Sequence, residues 1–367
     1  MGNIMNYIEK YGKYTLMESC FNEVDNVILS QIAYIDFEGI IPPPDSEEEV
    51  SVKDASILYF KKHSHAEIHQ SKILFRFAPL VLEAMADSPR FRNASLFGYI
   101  DDCNTIEEKQ FAALCIKLND GTTYVSFRGT DNSITSWKED FDMSYKTIAS
   151  QTAASIYLQN VMQYSTGDYL VGGHSKGGNL AVYAAAKIPS EDKKHIISVY
   201  NNDGPGFSKD FLESKEYLEI KNKVKRITPE YSVVGMLFEH DDRQTVVSSN
   251  ESKALLQHDL LTWRVNGNHF NHKEELCKNS QLLSKALNQW IEKMGDEKRK
   301  AFTECLFGAL EEKGVNQFTD IIDGGMIKLA NVLVTMHPLT GVARSTLVCL
   351  AGTVAAVYIK GHLPFIH

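Results

Sequence analysis

The stretch from Tyr169 to Ala186 constrains this chain more than any other. An apolar segment leads into the pentapeptide G-H-S-K-G at residues 173–177, and a run of small, helix-forming residues follows it. This order predicts a strand, a tight turn and a helix, with Ser175 at the turn. Glycines two residues before and two after the serine let strand and helix pass closely, because glycine has no Cβ atom. We expect Ser175 to have a strained backbone at the head of a helix.

A serine placed in this way has its hydroxyl exposed above the edge of a sheet, where it can act as a nucleophile. The positive end of the helix dipole favours the negative charge that develops during acyl transfer. The pentapeptide alone has little specificity, since a G-x-S-x-G pattern should occur by chance in about one chain in ten of this length. The strand and helix patterns on either side supply the specificity, and they predict Ser175 as a nucleophile.

Composition excludes several functional classes. The chain has 367 residues, of which 43% are hydrophobic and 23% charged, as is typical of a soluble globular protein. A net charge of −9 without a long basic run argues against nucleic acid as a partner. The six cysteines are widely spaced and predict neither a zinc site nor a disulfide framework. We expect no metal, no cofactor and, without a secretory signal pattern at the N-terminus, a cytoplasmic location.

Strands and helices alternate between residues 95 and 248, which predicts an α/β fold with a mostly parallel sheet and helices on both faces. Helical patterns before and after this region predict additions at both ends of the chain. We divide the chain into four parts: a helical N-terminal part over 1–90 packed on the core, an α/β core over 91–272, a helical extension over 273–314 and an apolar tail over 315–367.

The apolar tail contains an uncharged, mostly apolar run of 15 residues at 345–359, flanked by Arg344 and Lys360. The run is shorter than the roughly 20 residues that a helix needs to span a bilayer. We therefore favour a buried or docking helix, and contact with a membrane surface is the alternative.

The base that would activate Ser175 is predicted from chain order, because after an elbow of this kind the acid and then the histidine follow. His258 lies in the segment L-L-Q-H-D at residues 255–259, after the last short predicted strand. A loop at that position is where the histidine of a triad is expected. His240 is the alternative.

The acid has several candidates. Asp203 stands at the end of a predicted strand, and the turn G-P-G at residues 204–206 follows it. Its role would be to hold the imidazole in the correct tautomer and to stabilise the imidazolium. Glu230, Asp241 and Asp242 follow the next strand, which is the more usual position for the acid. We favour Asp203 and keep the other three open.

An oxyanion hole needs two backbone N–H donors. Lys176, the residue after the nucleophile, supplies one of them. Thr130 offers the second, because it ends the segment T-T-Y-V-S-F-R-G-T at residues 122–130, which reads as a strand followed by a glycine that allows close approach of substrate. The Thr130 hydroxyl is a further donor. The side chain of Lys176 is expected either to reach solvent or to attract an anionic group of the substrate.

Two of these segments resemble the class 3, fungal-type triacylglycerol lipases. The segment Y-V-S-F-R-G-T at residues 124–130, followed by Trp137 and Asp140, is similar to their V-x-F-R-G-[TS]…W…D pattern. The segment H-S-K-G-G-N-L-A at residues 174–181 resembles their G-H-S-L-G-G-A-L-A elbow, with lysine in place of leucine.

The Ser-Lys variant, taken with D-G-P-G-F at residues 203–207 and Q-H-D at residues 257–259, is similar to a bacterial lipase-like family with a G-H-S-K-G-G elbow. The resemblance covers about residues 15–275. It implies an α/β-hydrolase core that carries the nucleophile, base and oxyanion donors at the positions named above. One departure is that the aspartate of the lipases falls on or near Ser232, which strengthens Asp203 as a relocated acid.

These observations predict a serine hydrolase that cleaves a carboxylic ester through an acyl-enzyme, with Ser175, His258 and Asp203 as its triad. The expected substrate is an ester or another lipid-like small molecule. The alternative is a catalytically weak or inactive protein of the same fold that binds a ligand or serves as a scaffold. The displaced acid and the unusual Lys176 favour this alternative.

Overall fold

The mostly parallel sheet predicted from the strand–helix alternation is confirmed. Its strands, together with a separate short hairpin formed by β9 and β10, have the following bounds: β1 Val50–Ser51, β2 Ser95–Asn104, β3 Lys109–Lys117, β4 Thr123–Phe127, β5 Tyr169–His174, β6 Ile196–Asn202, β7 Val224–Pro229, β8 Thr245–Val247, β9 Val265–Asn266, β10 His269–Phe270 and β11 His272–Lys273.

The structure is a computed structural model. It describes residues 2–71, 75–104, 109–131, 134–164, 166–241, 243–278, 280–282, 288, 295–301, 303, 304, 307 and 308. The predicted apolar tail over 315–367, with its run at 345–359, lies outside these residues.

Within the described ranges, nine strands form one sheet in the order β1-β2-β3-β4-β5-β6-β7-β8-β11. The strands from β4 to β8 pair in parallel. The strands β1 to β4 pair antiparallel at one side, and β11 pairs antiparallel with β8 at the other. The carboxyl ends of the five parallel strands therefore meet at one edge, and β5, which precedes Ser175, lies between β4 and β6. In open α/β sheets this edge is where ligands bind.

The helices cover both faces of the sheet. Their bounds are α1 Ile4–Tyr11, α2 Glu23–Gln31, α3 Val52–Lys62, α4 His65–Gln70, α5 Ala78–Asp87, α6 Ile134–Asp142, α7 Ala149–Tyr164, α8 Lys176–Lys187, α9 Lys209–Glu213 and α10 Lys215–Leu218.

The residue pattern predicts one helix over residues 209–221 and another over residues 71–86, and both differ from the observed helices for local reasons. The helix expected from Lys209 to Lys221 is divided at Ser214, whose extended backbone and side chain cap α10 by accepting the N–H of Tyr217. Serine is among the strongest N-cap residues, so it begins a new helix here. In the second segment residues 75–77 form a turn, and α5 begins at Ala78 with a proline in its first turn, where proline is favoured.

The core lies on both faces of the sheet because side chains alternate along each strand. Tyr124, on β4, is fully buried on the face covered by the N-terminal helices, and its hydroxyl contacts Asn26 and Ser30 of α2. Its neighbour Val125 faces the opposite way and is buried with residues of α7 and α8. The helical N-terminal segment thus covers one face of the sheet, and the helix after Ser175 covers the other.

A buried ion pair joins the N-terminal helices to the chain just before β2. Arg90 contacts both carboxylate oxygens of Asp25 on α2, at 2.5 and 2.7 Å, and both side chains are almost completely buried. The remaining donors of Arg90 reach backbone carbonyls, among them that of Ser19 at 2.8 Å. Buried charges are tolerated when they are paired and hydrogen-bonded in this way. No helix in the described part of the chain is long and apolar enough to cross a membrane.

Candidate active site

Ser175 lies at a sharp turn between β5 and α8, as the pentapeptide predicted. Its φ of 57° and ψ of −134° place it in a region that non-glycine residues rarely adopt. The flanking glycines are needed for space. A Cβ atom at Gly173 would lie 2.4 Å from the backbone of Gly177, and one at Gly177 would lie 2.1 Å from the carbonyl oxygen of Phe127. The turn therefore holds the serine in a strained conformation at the head of α8.

His258 and Asp203, which lie 55 residues apart, contact each other beside this turn. His258 Nδ1 is 2.6 Å from Asp203 Oδ2, and the other carboxylate oxygen accepts a hydrogen bond of 2.5 Å from the Ser232 hydroxyl. The ring centroid of His258 lies 4.4 Å from that of His174, the residue before the serine. Because a carboxylate only accepts, Nδ1 carries the hydrogen, and the lone pair of the imidazole is on Nε2.

The acid reaches the histidine from the end of β6. Asp203 is fully buried and has a φ of 50°, and its N–H donates to the carbonyl of Ile227 on β7. The Ser175 N–H donates to the carbonyl of Asn202 at 2.9 Å, so the acid is one residue from a direct backbone contact with the elbow. Ser232 follows β7, and its hydroxyl supports the Asp203 carboxylate from the other side.

The alternative acids have other partners. Glu230 pairs with Lys273 at 3.4 Å, and Asp241 pairs with Arg243 at 3.3 Å near the surface. Asp242 lies outside the described residues. The hydrogen bond to His258 Nδ1 is made by Asp203, not by Glu230 or Asp241.

The alternative base, His240, is buried against Gly206, where a Cβ atom would lie 2.8 Å from its ring. Burial and the nearby positive charge of Arg226 hold the pKa of His240 well below its usual range. His240 is therefore a neutral histidine with a cation as its neighbour, which is not the setting of a triad base.

Thr130 follows β4 on the other side of the elbow. A Cβ atom at Gly129 would lie 3.0 Å from Ser175 Cβ, so the backbone before Thr130 is in close contact with the serine. The N–H of Lys176 is at the first position of α8, where helix amides have no partner within the helix. The Thr130 hydroxyl is 2.5 Å from Asp140 Oδ2 on α6.

The expectation that the Lys176 side chain reaches solvent or a substrate anion is wrong. The side chain is completely buried, and its ammonium lies 2.7 Å from Glu139 Oε2 on α6. It also donates to the backbone carbonyl and side-chain oxygen of Gln110, both at 3.1 Å. The physical reason is that a buried ammonium needs a charged partner and several acceptors, and α6 and β3 together provide them.

Aromatic residues that the sequence analysis missed lie over the histidines. The Tyr34 hydroxyl shares a hydrogen bond of 2.8 Å with His174 Nδ1, and burial holds the pKa of His174 well below its usual value. The Phe75 ring lies 5.0 Å from that of His174 and 6.2 Å from that of His258, and Phe75 has a φ of 58°. Both residues come from the N-terminal part, and no motif identifies them.

The described residues contain no group of three or more His, Cys, Asp or Glu side chains arranged to hold a metal ion. A serine at a strained turn, a histidine held by a carboxylate and amides at a helix head can support nucleophilic and general-base chemistry.

Several solved structures are similar to this chain. Rhizomucor miehei lipase in its native propeptide complex has 18% identity and a TM-score of 0.35, and the match covers 46% of this chain and 60% of that one. A lipase from Rhizopus microsporus var. chinensis has 16% identity and a TM-score of 0.33, over 55% of this chain and 71% of that one. The chain thus spans less than two thirds of the length of the Rhizomucor lipase.

A third similar structure is a triacylglycerol lipase whose catalytic centre is described as a serine protease triad. It has 15% identity and a TM-score of 0.38, over 61% of this chain and 78% of that one. No curated protein matches the chain in sequence.

A family model provides the assignment. The model described as Mbeg1-like matches residues 85–308, which is more than half of the chain. The matched region includes Thr130, Ser175, Asp203 and His258. The predicted resemblance to lipases is confirmed at the level of family and fold, and the bacterial origin stays a prediction. The chain belongs to the Mbeg1-like family, a lipase-like family, and has the α/β-hydrolase fold.

Proposed function

We propose that this protein is a serine hydrolase that cleaves carboxylic esters of a lipid-like or small acyl substrate. The observation that carries the proposal is the 2.6 Å contact of His258 with Asp203, beside a serine whose φ is 57°. A strained nucleophile, an oriented base and a buried acid are the parts of acyl-transfer catalysis. They come from three separate loops, and a purely structural role for each would not require them to meet.

In the proposed acylation, Ser175 Oγ attacks the ester carbonyl carbon while its proton passes to His258 Nε2. The carbonyl oxygen becomes an oxyanion that accepts from the N–H groups of Thr130 and Lys176. Asp203 stabilises the imidazolium that forms and keeps its own negative charge. The tetrahedral intermediate then collapses, and the alcohol leaves with the proton from His258, which gives an acyl-serine.

Deacylation repeats these steps with water as the nucleophile. His258 Nε2 accepts one proton of the water molecule as its oxygen attacks the acyl carbon. Collapse of the second intermediate releases the carboxylic acid, and the proton returns to Ser175 Oγ. The same donors stabilise both oxyanions, so they lower both barriers.

The substrate class rests on the lipase-like family and on the apolar surroundings of the histidines. Tyr34 and Phe75 present aromatic rings beside His174 and His258, with Tyr34 and Phe75 themselves 4.2 Å apart. Such surfaces favour an acyl chain over a charged group. An ester with an apolar acyl part is therefore the substrate that we propose.

A second candidate is a protein of this fold that binds a ligand without turnover. The burial of Ser175, which is only 6% exposed, favours this candidate, because a nucleophile must meet its substrate. The two candidates differ in whether the serine reacts at all.

The test uses a fluorophosphonate probe on the full chain, followed by a panel of p-nitrophenyl esters of increasing acyl length. Wild type should be labelled and should hydrolyse at least one ester, and Ser175→Ala should do neither. Ser56→Ala is the matched control, because Ser56 is an equally buried serine on α3. If folded wild type is neither labelled nor active, the hydrolase proposal is rejected and the ligand-binding candidate remains.

A further inference from the structure

Beneath the oxyanion donor Thr130 lies a cluster of charged side chains that the proposed chemistry does not use. Glu139 and Asp140 come from α6, and Lys176 comes from the head of α8. Through the Thr130–Asp140 and Lys176–Glu139 contacts, α6 links the two residues that supply the proposed oxyanion donors. Lys176 and Glu139 are almost completely buried and Asp140 is half-buried, so their charges act more strongly than they would in water.

Asp140 makes fewer hydrogen bonds than a buried, ionised carboxylate needs. Its Oδ2 is 2.5 Å from the Thr130 hydroxyl, and its buried Oδ1 has no hydrogen-bond partner. An ionised carboxylate has about four acceptor sites and is costly to bury with one oxygen unsatisfied. A neutral carboxyl tolerates this setting better, because its hydroxyl can donate to Thr130 Oγ1 and only an uncharged carbonyl oxygen is left without a donor.

Lys176, the positive charge that acts on Asp140, already forms an ion pair with another carboxylate. The ammonium of Lys176 contacts Glu139 at 2.7 Å and donates further to Gln110, so Asp140 receives only its longer-range field. The groups that face Asp140 are Lys176, Thr130, Glu139, Asp131 and Tyr34.

Burial raises the pKa of Asp140 to about 7. Lys176 and the Thr130 hydroxyl oppose this rise, whereas Glu139 and Asp131 add to it. Asp140 therefore changes its charge within the working range of an ordinary serine hydrolase.

The protonation of Asp140 determines what Thr130 can do, because a threonine hydroxyl has a single hydrogen. When Asp140 is ionised, that hydrogen is donated to Oδ2 and is lost to the substrate. When Asp140 carries the proton, it donates to Thr130 Oγ1, and the Thr130 hydrogen is free to turn toward the oxyanion. The short Thr130–Asp140 bond persists in both states, but its direction reverses.

We propose that the buried Lys176–Glu139 pair and Asp140 decide the direction of the Thr130–Asp140 hydrogen bond, and so whether the Thr130 hydroxyl serves the oxyanion hole. Lys176 and Glu139 are positioning residues, since they act through Asp140. The inference rests on the proposed function and adds a donor to it that is active at low pH and lost as the pH rises through about 7.

The first test is the pH profile of kcat with the best ester. The ratio of the wild-type kcat to the Asp140→Asn kcat should fall as the pH rises through about 7, by up to about 10²-fold if the hydroxyl is a full oxyanion donor. Taking the ratio removes any pH dependence of the general base, which both proteins share. Asp140→Asn should keep the low-pH kcat and lack the decline, because its amide donates to Thr130 Oγ1 at every pH. Thr130→Val has no hydroxyl, so its kcat at low pH should be lower than that of wild type and should not decline as the pH rises. A kcat profile of Asp140→Asn that matches wild type would overturn the proposal.

The second test replaces the pair with neutral residues. Lys176 lowers the pKa of Asp140 more than Glu139 raises it. The double variant Lys176→Met with Glu139→Gln removes both charges. The decline in kcat should therefore move upward, by about one pH unit, with KM unchanged. Lys193→Met with Glu219→Gln is the control, since it removes a similar 2.7 Å pair far from the elbow. An equal shift in both double variants would contradict the role of Lys176.

A third measurement does not need activity. The infrared difference spectrum of wild type minus Asp140→Asn should contain the carbonyl band of a protonated carboxyl group, which disappears as the pH rises through about 7. A protein without this band has an ionised Asp140, and the proposal fails. Because Ser175 labelling does not enter this measurement, its result separates failure of the inference from failure of the proposed function.

Discussion

Replacing Asp203 with asparagine removes one negative charge from the carboxylate that holds His258, and it should abolish most of the turnover. Asparagine suits this position because Asp203 has a φ of 50°, a conformation that asparagine adopts more readily than most residues. Its carbonyl can still accept the Ser232 hydroxyl, now 2.5 Å from Oδ1. The amide NH₂ then faces His258 Nδ1, where the structure has an acceptor at 2.6 Å.

The expected loss is large because the change reverses the tautomer. With a donor beside Nδ1, the hydrogen of His258 moves to Nε2, which can no longer accept the proton of Ser175. The equivalent change in a serine protease lowers kcat by about 10⁴-fold. That factor corresponds to about 5 kcal/mol in the activation free energy. We expect a loss of this order, with the melting temperature within a few degrees of that of wild type.

Ser232→Asp in the Asp203→Asn background provides a rescue. Ser232 already contacts the carboxylate, so an aspartate there offers a negative charge close to His258 from the end of β7. We expect at least a tenfold recovery of kcat. In the wild-type background the same change should lower kcat, because two adjacent carboxylates cannot both ionise freely.

The assay is ester hydrolysis together with the rate of fluorophosphonate labelling. Glu230→Gln and Asp241→Asn are the controls, since these acids pair with Lys273 and Arg243, and both variants should stay within threefold of wild type. If Asp203→Asn kept a third of the wild-type kcat, or if either control lost as much activity, Asp203 would not be the acid.

Two further predictions concern space and buried charge. Gly129→Ala would place a Cβ atom 2.3 Å from the Tyr34 hydroxyl oxygen and 3.0 Å from Ser175 Cβ. We expect kcat/KM to fall about 10²-fold, as for a site misplaced by about 1 Å. Unchanged kinetics would contradict the geometry. Arg90→Met leaves Asp25 buried without its partner and should cost about 3–5 kcal/mol in urea unfolding at pH 7. Burial raises the pKa of Asp25 and Arg90 lowers it, so removing Arg90 raises this pKa further in the folded chain. The protonated form is then favoured in the variant, and the deficit should shrink as the pH falls; a constant deficit would refute the reasoning.

The order of elements was predictable because it depends on neighbouring residues. The G-H-S-K-G turn needs only local chain geometry, and the strand and helix around Ser175 follow from its flanks. The alternation of strands and helices similarly predicted the parallel sheet and the edge at which Ser175 lies. Errors in helix bounds occurred where a serine cap or a proline acted within one turn, as at Ser214.

The partners of the site residues were predictable only as candidates. Sequence order proposed His258 and Asp203, and it left Glu230, Asp241 and Asp242 open, because spacing along the chain does not say which loops meet. The 2.6 Å contact depends on how far β6 and β7 extend before they turn, which is a property of the packed sheet.

The sequence by itself determined where the strained serine lies and which fold surrounds it. Only the tertiary structure decided that Asp203 meets His258, that Tyr34 contacts His174, and that the Lys176 ammonium is buried against Glu139. The physical reason is one of range. Turn geometry and side-chain periodicity act over a few residues, whereas hydrogen bonds and burial at this site join residues as far as 140 positions apart, as in the contact of Tyr34 with His174.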